Sequence, residues 1–179
     1  MMNRQINRTM NVIFDALLKK MQIKPFHEIS IVEITEQADV ARLSFYRHFN
    51  TKEDIIIFKI KEIVGRFVRK MNTSTISASK DILDMLLGMV DNYRSIFNVI
   101  INNNLYGLIV QSFSPEIKMI TKRLFGLLDS DTYLLTFYEG AFVNLIIEWV
   151  RSGEGVSKEE YSNILDRLIN KQKLLFNYN

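Results

Sequence analysis

Apolar residues recur every three or four positions along most of the chain, and this spacing predicts helices. The first stripe ends at Lys24-Pro25, because a residue before proline is driven out of the helical region. No segment alternates apolar and polar residues as a half-buried strand does. The pattern predicts an all-α fold. The first stripe consists of Ile6, Met10, Ile13, Phe14, Leu17, Leu18 and Met21.

Two short helices with a turn between them are predicted next. Ser30 and Glu33 have the spacing of a capping box, which satisfies free N–H groups at the start of a helix. That helix reaches Ala38, and another covers residues 42–49, so the pair has the spacing of a helix-turn-helix. We expect Asp39 to take a left-handed turn conformation. The apolar core of this unit is predicted as Ile31, Ile34, Ala38, Val40, Phe45 and Phe49.

The second short helix has a polar face as well as an apolar one. Arg42 at its start has the chemistry to read guanine, and Ser44 that to meet a base edge or a phosphate. Tyr46 and His48 are predicted to donate to phosphate oxygens. Lys52, at the start of the next helix, is a further predicted phosphate contact.

The remaining pattern divides the chain into two parts. Thr51 is the predicted N-cap of a helix that extends to about Met71. The polar, small-residue stretch that follows predicts a boundary between a DNA-binding domain, 1–72, and a second helical domain, 73–179. Within the second domain, helices are predicted over 79–102, from Pro115 onward, over 131–151 and from Ser157, with Gly153 in a left-handed cap.

Charge supports the same division. Residues 1–72 hold 13 Lys and Arg against 8 Asp and Glu, whereas residues 73–179 hold 10 against 12. A basic first third is typical of a segment that meets a polyanion, although scatter in surface charge gives the same asymmetry. The chain has no cysteine, no signal-peptide pattern and no apolar run of membrane-spanning length. We expect a cytoplasmic protein without a metal, a cofactor or a membrane partner.

Two other classes of function remain to be weighed. The two histidines, His27 and His48, lie too far apart for a helical metal pair, and no Gly-rich phosphate loop or nucleophile motif occurs, so we expect no enzyme. The first helix is amphipathic and basic, which also suits an anionic membrane surface. Its apolar stripe, however, is needed to close the small N-terminal core.

A resemblance to a known family rests on a run of residues within 8–60. The stretch Phe45-Tyr46-Arg47-His48-Phe49, followed by Lys52-Glu53-Asp54, resembles the N-terminal domain of the TetR family of bacterial regulators. More weakly, Glu148-Trp149-Val150-Arg151-Ser152-Gly153 is similar to a Gram-positive branch of that family. The resemblance implies about nine helices, a homodimer and double-stranded DNA as partner. It places Arg42, Leu43 and Ser44 nearest the bases.

The chain departs from the family pattern at two positions. Asp39 stands where a glycine is usual in the turn, and we expect the turn to survive. Ala41 stands where a serine or threonine is usual, which removes a helix cap worth about 1 kcal/mol and a phosphate contact.

The family resemblance leads us to expect a repressor that a small apolar effector releases from a palindromic operator. An activator or co-regulator whose C-terminal domain binds a protein partner is the alternative. Met and aromatic residues are the candidate effector pocket, although residues of this kind at helical spacing more often form core. They are Met85, Met89, Tyr93, Phe97, Tyr106, Phe113, Phe137 and Tyr138. The last two helices are the expected dimer interface, through Phe142, Ile146, Trp149, Ile164 and Leu168.

Overall fold

The computed structural model describes residues 2–74, 79–153 and 155–176, and their regular structure is entirely helical. This confirms the predicted all-α fold and its nine helices within the described residues. One 3₁₀ turn, Phe26–Glu28, lies between the first two helices. The helices are α1 Met2–Met21, α2 Ile31–Gln37, α3 Arg42–Tyr46, α4 Lys52–Thr73, α5 Ser79–Asn92, α6 Arg94–Asn102, α7 Tyr106–Phe125, α8 Thr132–Arg151 and α9 Lys158–Phe176.

The chain packs as two compact units, and their division differs from the predicted boundary. The first unit contains residues 1–62 with 99–112, and the second contains 63–98 with 113–179. The division therefore falls inside α4, and the turn after α6 belongs to the first unit. A physical reason is that Asn103 Oδ1 accepts the N–H of Phe26 at 2.8 Å. Of the predicted polar stretch 72–79, Asn72 and Thr73 belong to α4 and Ser79 begins α5, whereas residues 75–78 lie outside the described residues.

The first unit is held together by apolar side chains of four helices. Ile13 and Leu17 of α1, Ile34 of α2, Phe45 of α3 and Ile55 of α4 are all fully buried. Each such side chain contributes about 1.5–3 kcal/mol through removal of apolar surface from water. The predicted stripe of the first helix is thus the face that closes this core.

The turn between α2 and α3 has the left-handed residue that the sequence predicts. Asp39 has a φ of +52°. The N–H of Val40 donates to the carbonyl of Thr35 at 3.0 Å, and the N–H of Asp39 donates to that of Glu36 at 3.2 Å. This pattern is a Schellman cap, which satisfies carbonyls that a helix end otherwise leaves unpaired.

In the second unit, α5 packs against α8 and α9, and a cation closes the end of α8. Arg94 donates to the carbonyls of Trp149 and Gly153 at 3.0 and 3.2 Å, and its guanidinium lies 4.1 Å from the Trp149 ring centre. The Trp149 ring also stacks on Tyr161 at 5.5 Å. Gly153 has the predicted left-handed φ, +65°.

Three predicted helix boundaries are wrong. The helix expected over 79–102 is interrupted at Tyr93, whose N–H turns back to the carbonyl of Val90. Pro115 does not begin a helix but lies inside α7. The carbonyl that it leaves without a donor belongs to Gln111, an exposed residue, so water can replace the lost bond. The helix expected over 42–49 ends at Tyr46, because Phe49 is reached by a further turn.

None of the described helices combines the length and the apolarity that crossing a bilayer requires.

The conformation of Asp39 generates a prediction about stability. A side chain with a Cβ in a left-handed conformation costs about 1 kcal/mol or more, whereas glycine carries no such penalty. We therefore expect Asp39→Gly to exceed Asp39→Ala in free energy of unfolding by about 1 kcal/mol, measured by urea denaturation. At the exposed helical position Gln37 the order reverses, with alanine more stable than glycine. The same order at both positions would contradict this explanation of the turn.

Candidate nucleic-acid interface

The helix-turn-helix begins at a cap that the sequence predicts. The Ser30 hydroxyl accepts the N–H of Glu33 at 3.2 Å, and the Glu33 carboxylate accepts the N–H of Ser30 at 2.9 Å. Lys24 Nζ also lies 2.5 Å from Glu33 Oε1. The bond from Lys24 and those from Ser30 lower the pKa of Glu33 from 4.5 to about 2. Because the folded pKa is the lower one, this stabilisation is complete above pH 4.5 and is lost as the pH falls towards 2.

One face of α3 is buried against the first unit. Phe45 is completely buried, and its ring centre lies 5.8 Å from that of Phe49, which is 3% exposed. Phe49 in turn meets Phe58 of α4 edge-on at 5.9 Å. These aromatic contacts fix the rotation of α3 about its own axis.

The opposite face of α3 points to solvent. Arg42 is exposed, and the side chains of Leu43 and Tyr46 are 64% and 57% exposed. Arg42 and Leu43, which are predicted to lie nearest the bases, thus share a free surface with Tyr46, a predicted phosphate contact. Ser44 and His48 lie at its edges and are half-buried.

Lys52 is placed differently from its prediction. Its ammonium donates to the carbonyls of Phe26 and Ile29 at 2.8 and 2.6 Å and lies 3.4 Å from that of His27. It also lies 4.6 Å from the centre of the Phe26 ring. An ammonium has three N–H donors, so these bonds occupy all of them. A phosphate contact by Lys52 would require at least one to break.

The start of α4 carries its own anion. Asp54 accepts the N–H groups of Asn50 and Thr51, both at 2.9 Å, and the Thr51 hydroxyl accepts the N–H of Asp54 at 3.2 Å. The two backbone bonds hold the pKa of Asp54 below its ordinary value. Thr51 is the predicted N-cap. The N–H groups of Asn50 and Thr51 are therefore not available to a phosphate.

Two residues near this interface have roles that were not predicted from the sequence. Arg47 is exposed directly after α3, where a cation suits a phosphate. Its position within the family-like run was the available signal. Asn103 binds the 3₁₀ turn through Phe26 and donates to the carbonyl of Val99 at 2.8 Å. Nothing in its sequence context predicts that role, because the partner lies 77 positions away.

Five of the eight predicted pocket residues line two separate cavities of the second unit. Met85, Met89 and Tyr93 line a cavity of about 380 Å³ in the second unit. Phe137 and Tyr138 line a separate apolar groove of about 160 Å³ along α8 and α9. The remaining three are Phe97 and Phe113, whose rings pack 6.1 Å apart in the core, and Tyr106, which is 47% exposed in the first unit. The assignment of these residues to an effector pocket stays a prediction, because helical periodicity does not tell which face lines a cavity.

The predicted dimer residues divide between surface and core. Phe142 and Leu168 line the apolar groove of α8 and α9, and Leu168 is 45% exposed. Ile146 and Ile164 are half-buried. Trp149 is only 1% exposed, so its assignment to a dimer surface is wrong. Its ring is enclosed within the protomer by the contacts to Arg94 and Tyr161 described above.

Among the residues that the structure describes, no three His, Asp or Glu side chains come together as metal ligands.

Comparison with known proteins shows to which family the chain belongs. Residues 13–57 match the family described as "Bacterial regulatory proteins, tetR family", and residues 77–171 match the one described as "Transcriptional regulator C-terminal region". The fold and the exposed face of α3 are those of a helix-turn-helix transcriptional regulator. The chain belongs to the TetR family, whose members bind DNA.

Individual relatives extend the comparison. The fatty acid metabolism regulator protein of Bacillus subtilis (strain 168) is 36% identical over 59 residues, which is 33% of this chain and 30% of that protein. The match thus spans about a third of either chain. Lin0861 from Listeria innocua shares the fold with a TM-score of 0.77 at 20% identity, over 96% of this chain and 93% of that one. A TetR transcriptional regulator from Streptococcus agalactiae 2603V has a TM-score of 0.68 at 17% identity, over 93% and 96%.

The bonds of Lys52 generate a second prediction. Lys52→Met keeps the apolar stem but leaves the part-buried carbonyls of Phe26 and Ile29 without their donor. We expect the free energy of unfolding to fall by about 1–3 kcal/mol, the usual cost of an unsatisfied polar group. Urea denaturation measures it, with Lys61→Met, an exposed lysine of the same helix, as the matched control. Equal stability of the two variants would contradict the structural role of Lys52.

The missing side-chain cap of α3 leads to a third prediction. Ala41 has the extended backbone of an N-cap but no side-chain bond to the helix. Ala41→Thr adds a hydroxyl acceptor there, and Ala41→Val adds the same shape without it. We expect the threonine variant to be more stable by about 1 kcal/mol in thermal or urea unfolding. No difference between the two would show that the helix start is already satisfied by other means.

Proposed function

We propose that this chain acts as a homodimeric repressor that binds a palindromic operator and is released by a small-molecule effector. The observation that carries the DNA-binding part is the division of α3 into a buried face, through Phe45, and a free face, through Arg42, Leu43 and Tyr46. A short helix of this kind enters the major groove with its N-terminal residues on the base edges. We infer no enzymatic activity and place the protein, as a DNA-binding regulator, in the cytoplasm.

Each exposed group of the interface has a distinct proposed role. Arg42 reads guanine through bidentate hydrogen bonds, and the apolar Leu43 packs on a thymine methyl group. Tyr46 and His48 donate to phosphate oxygens, and Ser44 bonds a base edge or a phosphate. The geometry supports a change in the proposed role of Lys52, from phosphate contact to positioning residue.

Arg47 is the cation proposed to take over the phosphate contact. It is exposed at the end of α3, within the same surface as Tyr46. An exposed guanidinium binds phosphate without first losing bonds to the protein.

The proposed dimer forms through α8 and α9. The groove lined by Phe142 and Leu168 is almost wholly apolar, and Phe137 at its edge is 65% exposed. Apolar groups exposed together favour a protein interface. A four-helix bundle of α8 and α9 from two protomers would cover the groove and present two α3 helices to successive major-groove faces about 34 Å apart.

A protein partner on this same groove is the alternative that the exposed aromatics favour. Tyr133 is 92% exposed one turn before Phe137 on α8. An activator or co-regulator would use such a surface for a second protein. Sedimentation of the purified chain distinguishes the two, because a dimer forms without any added protein.

Replacement of Arg42 tests the proposed operator contact. A gel shift with the DNA upstream of the protein's own coding sequence should show one specific complex. Arg42→Ala should reduce the ratio of specific to non-specific affinity by about 5- to 150-fold, because a bidentate base contact contributes about 1–3 kcal/mol. Arg47→Gln should weaken the binding of all DNA sequences to the same extent. It should also lower the slope of log affinity against log salt concentration by about one.

Arg151→Ala is the matched control, since Arg151 is exposed in the last turn of α8, a helix of the second unit. It should leave both the affinity ratio and the salt slope unchanged. If Arg42→Ala retains the full affinity ratio, α3 does not read the operator as proposed.

A further inference from the structure

The side chain opposite the anchor of α3 is apolar. Leu43 stands two residues before Phe45, and successive residues of a helix are about 100° apart, so the two side chains lie on nearly opposite sides of α3. Phe45 is completely buried, whereas Leu43 is 64% exposed. Single exposed leucines are common on protein surfaces. This one, however, lies at the centre of the surface that is proposed to enter the major groove.

Tyr46 extends the apolar surface around Leu43. The two residues are three positions apart and are therefore neighbours on one side of the helix. The Tyr46 ring meets the Phe45 ring edge-on, with 5.2 Å between the ring centres, and this contact with a buried ring holds it beside α3. Leu43 and the Tyr46 ring thus form an apolar ridge along the free side of α3.

Electrostatic attraction between phosphate and the helix-turn-helix itself is limited. Within residues 30–50, three acids stand against two arginines, so the formal charge is −1 with histidine neutral. The Lys52 ammonium donates to backbone carbonyls, and Asp54 occupies N–H groups before α4. Sequence-independent affinity for DNA comes from cations that neutralise phosphates. Contacts with the bases must therefore supply a larger share of the affinity of this motif.

The base edges in the major groove offer an apolar side chain one kind of partner. The groove is about 12 Å wide and about 8.5 Å deep, so a helix enters it and its outermost side chains reach the bases. Among the donors and acceptors there, the methyl group on C5 of thymine is the apolar group. Leu43 cannot pair with the polar groups, and covering them without a partner weakens binding. A methyl group, in contrast, gains from being removed from water.

Cytosine carries the same apolar group when it is methylated on C5. The methyl group of 5-methylcytosine projects into the major groove from the same ring position as that of thymine. The two bases differ at C4, where thymine has an acceptor and cytosine a donor. Because a leucine side chain hydrogen-bonds to neither, Leu43 has no means of distinguishing the two methyl groups.

We propose that Leu43 is a specificity-determining residue that reads the C5-methyl group of a pyrimidine, whether the base is thymine or 5-methylcytosine. The inference rests on the proposed function, because it requires α3 in the major groove. It extends the thymine contact to a group that methylation of cytosine adds to DNA, so the affinity for a given DNA sequence depends on its methylation.

Gel shifts of the full chain test the proposal on three forms of the DNA upstream of its own coding sequence. Amplification with dUTP in place of dTTP removes thymine methyl groups, and amplification with 5-methyl-dCTP in place of dCTP adds methyl groups to cytosine. If Leu43 contacts thymine, uracil should weaken binding by about fourfold for each methyl group lost from contact. If it contacts cytosine, methylation should strengthen binding by the same factor.

Three variants show whether Leu43 is the reader. Leu43→Ala changes an exposed side chain, so the fold should persist, and its affinities for the three DNAs should differ by less than about twofold. Leu43→Met keeps an apolar side chain of similar reach and should retain most of the wild-type response. Leu128→Ala removes a leucine of similar exposure, 68%, from the second unit and should respond as the wild type does.

The comparison with Leu43→Ala also removes a side effect of the modified bases. Uracil and 5-methylcytosine change the stiffness of the duplex, and such a change acts on the wild type and on Leu43→Ala alike. A response of the wild type that Leu43→Ala loses is therefore due to the contact of the side chain with the methyl group.

The outcomes separate this inference from the proposed function. Weaker binding to uracil DNA, or stronger binding to methylated DNA, supports the inference if Leu43→Ala loses the response, and it shows which base carries the methyl group. Equal wild-type affinity for all three DNAs, or an equal response in Leu43→Ala, overturns the inference and leaves operator binding intact. Weaker binding to methylated DNA without a response to uracil also overturns it. Absence of a specific complex with unmodified DNA overturns the proposed function, and the inference with it.

Discussion

The complete burial of Phe45 is the constraint on which the DNA-binding surface depends. The α3 helix has only five residues, and isolated helices of fewer than about twelve are marginal in water. Its conformation therefore comes from tertiary packing, in which Phe45 sits in the core and Phe49 joins it to Phe58 of α4. Successive residues of a helix are about 100° apart. Anchoring Phe45 therefore turns Leu43 to the opposite side, and Arg42 and Tyr46 are exposed on the flanks.

Polar bonds then fix the connection that leads into this unit. The 3₁₀ turn before α2 is short and has carbonyls that no helix ladder satisfies, and the Lys52 ammonium binds those of Phe26 and Ile29. From the other side, Asn103 accepts the N–H of Phe26. The position of α2 thus depends on side chains from the start of α4 and the turn after α6. Lys52 stands at the start of a helix, where its sequence context predicts a phosphate contact, but its ammonium donates to carbonyls of the protein's own backbone.

Features encoded within a few residues were predictable, and those that depend on distant partners were not. The cap at Ser30 and the left-handed Asp39 follow from side chains that bond their own neighbours, so the sequence alone indicates them. The free face of α3 follows from the spacing of Phe45. Trp149 was misplaced because α8 is apolar nearly all round, and only its contacts with Arg94 and Tyr161 decide which side is core. The cavity that Met85, Met89 and Tyr93 line was predicted only in part for the same reason, since other parts of its lining come from α4 and α9.

The most direct test of the account is hydroxyl-radical footprinting of the full chain on its own upstream DNA. Two α3 helices related by a two-fold axis should protect two segments on one face of the duplex, with their centres about one helical turn, 34–36 Å, apart and with inverted sequences. Protection of a single segment, or uniform protection without sequence preference, would contradict the central claim that the exposed face of α3 reads a palindromic operator as a dimer.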